Sequence, residues 1–236
     1  MSNALSTTVA VIDFAAARDN MVDGQVRPNK VVDARIIRAM RRLPRERFLP
    51  AALASLAYVD EDVPLPGGRV LMEPMVIARL VQSLRVREGE RGLVVASGAG
   101  YGAALLDACG AQVTAIEDDP ALLALAGRVL PVVSPRVVQI DGPVGAGWAS
   151  TGLYDFILIE GAVGGLPHSL GAQLKAEGRL ATVIAQPGSL GQGVLGQGVV
   201  AEAVQVNGSL RLRAQPIFDC ATPLLPQFQP VPGFIF

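Results

Sequence analysis

Cysteine, histidine and tryptophan are nearly missing from this chain of 236 residues, which has two, one and one of them. Two thiols, Cys109 in an apolar stretch and Cys220 near the end, are too few for the disulfide framework of a secreted domain or for a zinc knuckle. The cysteine usage points to a reducing, cytoplasmic setting, and no metal site is expected. Lysine is scarce as well, since all the basic residues except Lys30 and Lys175 are arginine. A formal net charge of −1 gives no general attraction to nucleic acid or to an anionic membrane. No run of about 18 uninterrupted apolar residues occurs, so no spanning helix is expected. The stretch from Met1 to Ala17 lacks the basic start and continuous apolar core of a signal peptide.

What is present is apolar. Half of the residues are hydrophobic and 17% are charged, which excludes a long disordered chain and leaves enough material for one sizeable α/β core. Ile36, Ile37, Met40 and Leu43 recur at helical spacing among arginines, with Pro44 as a stop signal, so Asp33 to Arg42 is predicted helical. The arginines between Arg35 and Arg47 are interleaved with acids and lack aromatic stacking partners, which suits a solvated helix face better than a nucleic-acid surface. Tyr58 to Arg69, with Pro64, Pro66, Gly67 and Gly68, is predicted to be a loop, and Pro74 opens a helix from Met75 to Leu84.

The middle of the chain alternates. Gly92–Ala96, Gln112–Ile116, Arg136–Ile140, Tyr154–Ile159 and Gly178–Ile184 are short apolar runs of strand type. Ala103–Cys109, Pro120–Leu130 and Leu166–Leu174 are the helices between them, the last capped by Gly178. That alternation predicts a parallel sheet. After a glycine-rich loop, Pro187 to Gly198, two strand-like runs, Val199–Val206 and Leu210–Phe218, meet at Asn207-Gly208, a hairpin signal.

Gly98, Gly100 and Gly102 lie between the first of these strands and its helix. Glycines there let the backbone approach a ligand and aim amide donors at it. Gly98 to Ala103 also satisfies the dinucleotide pattern G-x-G-x-x-A, so a nicotinamide cofactor is an open alternative. Glu117 follows the second strand, where a carboxylate can accept from both hydroxyls of a ribose, and Asp141-Gly142 follows the third, within reach of an adenine edge. Tyr101 and Trp148 could wall that pocket or be ordinary packing. His168 suits a surface role near a helix start, and Glu160, past the fourth strand, is the residue to name if a base is needed.

From Met21 onward the chain resembles the protein-L-isoaspartate (D-aspartate) O-methyltransferases. The resemblance rests on Met21-Val-Asp-Gly-Gln-Val-Arg27, Leu43-Pro-Arg-Glu-Arg-Phe-Leu-Pro50, Ala57-Tyr-Val-Asp60, Gly98-Ala-Gly-Tyr-Gly-Ala-Ala104, Ile116-Glu117, Asp141-Gly142 with Trp148, and Leu174-Lys-Ala-Glu-Gly-Arg-Leu180. It implies a class I S-adenosylmethionine-dependent fold: a Rossmann-like parallel sheet, a C-terminal antiparallel hairpin and an N-terminal helical extension. It also implies methyl transfer from S-adenosylmethionine to the α-carboxylate of isoaspartyl residues in proteins.

On that resemblance Ser97, Gly98, Gly100, Tyr101, Glu117, Asp141 and Gly142 would hold the cofactor, and Arg69 and Met72, with Glu160, would face the acceptor. The expected layout is an extension over 1–20, a methyltransferase domain over 21–220 and a proline-rich tail over 221–236. The sequence departs from the family where hydroxyls are expected before Pro74, having Arg69, Val70, Leu71 and Met72 instead. It departs again at Val94, where the first strand should carry an acid, and at Ala96, where the loop should have its first glycine. These departures keep two alternatives in view, a different methyl acceptor and a non-catalytic binding module.

Overall fold

The computed structural model describes residues 12–186 and 194–229. Two helices, α1 (Phe14–Met21) and α2 (Ala34–Arg42), open it, each started by an aspartate whose carboxylate accepts from the first-turn amides: Asp13 from Ala15 and Ala16, Asp33 from Arg35. Val22–Val26 continues α1 as a wide turn. The stretch expected to be a loop contains a two-residue ladder, β1 (Val63–Pro64) against β2 (Val70–Leu71), and α3 (Pro74–Ser83) follows with Pro74 at its first position.

The central sheet is built by β3 (Arg91–Val95), α4 (Tyr101–Ala108), β4 (Gln112–Glu117), α5 (Pro120–Val133) and β5 (Val138–Asp141). It continues through β6 (Tyr154–Val163), α6 (His168–Gly171), β7 (Leu174–Ala185), β8 (Leu195–Val206) and β9 (Ser209–Ala221). Strand order is β5-β4-β3-β6-β7-β8-β9; the first five strands are parallel, and β8 and β9 are antiparallel to their neighbours. The chain winds outward from β3 through β4 to β5 and then returns to place β6 on the other side of β3. The crevice between β3 and β6 is therefore the topological switch point, where open α/β sheets bind ligands. Alternation along the buried strands splits the core. Val94 and Leu158 pack with the side chains of α1 to α5, whereas Leu93, Val95, Ile157 and Ile159 pack with Val144, Leu170 and Leu225 on the other face.

The fold corrects several boundaries. The helix expected over 166–174 is four residues long, so Gly178 is not its C-cap; Gly178 lies within β7, where Glu177 takes the left-handed conformation. The loop expected over 187–198 is strand from Leu195 onward, and residues 187–193 of it lie outside the described residues. The third parallel strand begins at Val138 rather than Arg136, since Arg136 turns out to bond Asp107. The hairpin stands as expected: Asn207 and Gly208 both have positive φ, 50° and 78°, as a two-residue type I′ turn requires.

Candidate functional site

The loop after β3 makes three left-handed turns in five residues, at Ala96, Gly98 and Gly100 (φ 53°, 55° and 93°). Two of them are glycine, and at Gly100 a Cβ would come within 2.9 Å of Leu130, so α4 starts there under steric compulsion. Ala96 adopts the same conformation with a side chain, at a cost of roughly 1–2 kcal/mol. Ser97 is buried inside this loop, its carbonyl accepting from the Gly100 amide.

Glu117, at the end of β4, is wholly buried, and five donors meet its carboxylate. Gly98 N–H donates at 2.8 Å, Asp118 and Asp119 N–H at 2.9 and 3.1 Å, and Arg69 donates twice, through Nη2 at 3.0 Å and Nε at 3.3 Å. The Arg69 side chain is 2% exposed and reaches Asp118 Oδ1 at 2.6 Å, Gly67 O and Gln227 Oε1 as well. The carboxylate that sequence reasoning reserved for a ribose is thus held by the arginine reserved for the acceptor. Asp141 stands opposite Glu117 in the β4–β5 register but is exposed, and the Gly142 amide donates to Glu117 O.

The tail runs across this edge of the sheet. Ala162 N–H donates to Pro223 O, Leu225 N–H to Ala162 O and Gly164 N–H to Phe228 O, at 2.9–3.0 Å. Leu225 is buried over Gly161, where a Cβ would lie 2.6 Å from it. Gln227 bonds Arg69 and Asp118 together, and Thr222 donates to Asp62 at 2.6 Å. Between the tail and the β1–β2 loop is a hollow of about 560 Å³, lined by Arg69, Val70 and Leu224 and by three acids, Glu61, Asp62 and Glu73. Burial, reinforced by Asp60, Asp62 and Glu61, pushes the Glu73 carboxyl up to about 7. Burial likewise raises Asp62, against the pull of Thr222.

Glu160 stands apart from this network. Its carboxyl lies against Gly102 at the start of α4, in space that a Cβ there would take. Burial and the negative charge of Glu117 push it up to about 8, with Arg45 pulling the other way. Arg45 is itself fully buried, donating to Ala57 O and Met72 O, with its guanidinium 4.8 Å from the centre of the Tyr101 ring. Tyr101 is therefore core: it is 1% exposed and packs edge-on to Phe48. Met72 is buried too, and it enters the site through its carbonyl rather than its thioether. Trp148 is half-buried away from the loop, its amide donating to Gln173, and His168 is exposed at the start of α6.

The structure brings together Ser97, Gly98, Gly100, Glu117 and Arg69, with Glu160 beside the same loop. Sequence reasoning missed Leu65, which packs 3.7 Å from where a Gly98 Cβ would be, and the tail residues Leu225 and Gln227. Nothing in the tail except its prolines signalled a contact. The groups present suit a ligand with a hydroxyl-bearing sugar and a cationic end: a carboxylate on a glycine loop, and a buried carboxyl with spare acceptor capacity. Seating the sugar on Glu117 requires Arg69 to move aside.

Residues 17–194 match the family model described as protein-L-isoaspartate(D-aspartate) O-methyltransferase. A protein-L-isoaspartate O-methyltransferase of Methylorubrum extorquens (strain PA1) is 40% identical over 178 residues, which are 75% of this chain and 78% of that protein. One of Methylorubrum populi is 37% identical over 173 residues, 73% of this chain and 82% of the relative. Among solved structures, a Plasmodium falciparum protein described as a protein-L-isoaspartate O-methyltransferase in complex with S-adenosyl-L-homocysteine shares the fold. Its TM-score is 0.67 at 18% identity, covering 89% of this chain and 98% of that one.

Proposed function

The chain belongs to the protein-L-isoaspartate(D-aspartate) O-methyltransferase family, and from that premise we propose that it carries out the family's reaction at the edge between β3 and β6. It is a methyltransferase that uses S-adenosylmethionine, acting on the carboxylate of isoaspartyl residues in proteins. The observation that supports this placement is the Glu117 carboxylate bonded to the Gly98 amide, a sugar-binding acid seated on the glycine loop at a strand end.

The sulfonium donor supplies an already activated methyl group, and a carboxylate is already a nucleophile, so positioning and exclusion of water carry the catalysis. Ser97, Gly98 and Gly100 bring the backbone close to the donor, their own amides being bonded to Ile116 O, Glu117 and Ser97 O; Glu117 takes the ribose hydroxyls, and Asp141 with Gly142 takes the adenine edge. Arg69 serves both partners in turn. Once displaced from both Glu117 and Asp118, its guanidinium receives the acceptor carboxylate over the hollow lined by Val70, supplying the donor that the missing hydroxyls would have given. Leu225 and Leu65 keep the edge dry. The working arrangement is a catalytic domain over 21–220, with residues 222–229 closing the site, in a cytoplasmic protein; among the described residues no helix is long and apolar enough to cross a membrane.

A second reading keeps methyl transfer and changes the acceptor, and what favours it is the hollow itself, where three acids outnumber Arg69. Calorimetric titration with S-adenosylmethionine, S-adenosylhomocysteine and NADH, on the wild type and on Glu117→Ala, tests the donor site. Micromolar binding of the two methyl-cycle ligands alone, lost in the variant, is expected. Methylation of an isoaspartyl peptide but not of its aspartyl counterpart then separates the two acceptors.

A further inference from the structure

Glu160 is the one buried carboxyl at this edge that the arrangement above leaves unused. It sits on β6 on the face that carries Leu158, the cross-strand partner of Val94, so it follows the β3 loop on the side of α4. Immediately past it the ladder breaks. Leu158 pairs with Ala181 and Ala162 with Val183, so four steps along β6 answer two along β7, and Gly161 takes φ 145° in the bulge. Bulges of this kind re-aim side chains beside functional sites. Here the bulge delivers the Glu160 carboxyl to Gly102, where only a glycine leaves room for it.

Once there, the carboxyl is poorly served. Glu160 is 6% exposed, and its Oε1 has no hydrogen-bond partner among the described residues. An orphaned buried oxygen costs on the order of 1–3 kcal/mol, which evolution removes cheaply by substitution unless the group has a partner to meet. The partner's charge follows from the remaining acids. Both oxygens of Glu117 are engaged by Arg69 and backbone amides, Asp118 is tied to Arg69 and Gln227, Asp141 is exposed at the far edge, and Val94 offers β3 no anion. A ligand that carries a sulfonium and an ammonium finds one free buried carboxyl at the loop.

We propose that Glu160 receives the cationic end of the methyl donor, as a positioning carboxylate and not as a base. This rests on the donor site proposed above. The groups facing Glu160 are Glu117, Arg45 and the Gly102 backbone amide, and without a ligand the acid stays protonated at neutral pH because burial and Glu117 outweigh the pull of Arg45 and that amide. Meeting a cation reverses that balance, so the carboxyl ionises on binding and its proton goes to solvent.

The test is calorimetric titration of S-adenosylmethionine at pH 7 in two buffers of different ionisation enthalpy, on the wild type, Glu160→Gln and Glu160→Asp. The wild type should release close to one proton per ligand bound. Glu160→Gln should release none and bind about 10- to 100-fold more weakly, the range expected for one charge-assisted hydrogen bond, with Glu160→Asp recovering part of both. Thermal unfolding accompanies each variant, and the glutamine form should be no less stable, since it removes a buried ionisable group. Unchanged affinity and unchanged proton release in Glu160→Gln would overturn the role of Glu160 while leaving the donor site intact. No binding by the wild type, nor by a variant freed of Arg69, would overturn the donor site and this role with it.

Discussion

Arg69→Met separates what the ion pair does for the fold from what it does to the ligand. Methionine keeps the length and apolar stem of arginine and removes the guanidinium. Removing one partner of a buried pair costs about 3–5 kcal/mol. Glu117 retains three backbone donors, from Gly98, Asp118 and Asp119, so the lower end, about 3 kcal/mol, applies. For a domain of this size that corresponds to a fall in Tm of roughly 6–12 °C. The effect on S-adenosylhomocysteine runs the other way. In the wild type the ribose must replace two guanidinium bonds, and relief from that competition should tighten binding by about 10- to 100-fold. The variant should therefore unfold early alone, regain about 2.7 kcal/mol at a ligand concentration one hundred times its Kd, and still methylate isoaspartyl peptide poorly. Calorimetry and a thermal scan with and without ligand measure both halves. Equal or weaker ligand binding by the variant would refute the reasoning, because Arg69 would then belong to the donor site instead of competing for it.

Three further outcomes follow from neighbouring residues. Glu73, pushed up to about 7, is neutral below that pH and anionic above it. The KM for an anionic peptide should therefore rise between pH 6 and 8, and Glu73→Gln should flatten that rise in steady-state assays. Ala96→Gly should stabilise by about 0.5–1 kcal/mol, the left-handed strain relieved less the added chain entropy of glycine, seen as a Tm gain of a few degrees. For Glu160 the folded value of about 8 lies above the unfolded one, so the native state binds the extra proton and stability falls as pH rises between the two. The Tm advantage of Glu160→Gln should accordingly be small near pH 5 and grow towards pH 8.

The sheet was legible because its signals are local: apolar runs for the buried strands, Pro120 at the start of the helix after β4, and Asn207-Gly208 at the hairpin. The helix expected over 166–174 is too long: Leu170 lies in the short α6, whereas Leu174 is already the first residue of β7. Within the site, Glu117 and the glycines followed from strand-end logic. The reach of Arg69 across 48 residues to Glu117, and of Gln227 to both, did not, because such contacts are set by how separate loops meet and leave no periodicity in the chain.

Among the described residues the buried polar side-chain atoms without a partner include Glu160 Oε1, and its place beside the β3 loop bears on whether the fold still works as an enzyme. A degenerate site relaxes: with no ligand to keep, nothing opposes replacing an unsatisfied buried acid by an apolar residue. The edge between β3 and β6 has not relaxed. Glu160 Oε1 stays buried without a partner among the described residues, beside the loop whose Gly98 amide engages Glu117. The Glu117 network shows that the protein can satisfy a buried charge completely here, with five donors on one carboxylate. Leaving Glu160 unsatisfied beside it is costly in a scaffold and useful in an enzyme whose substrate brings a positive charge.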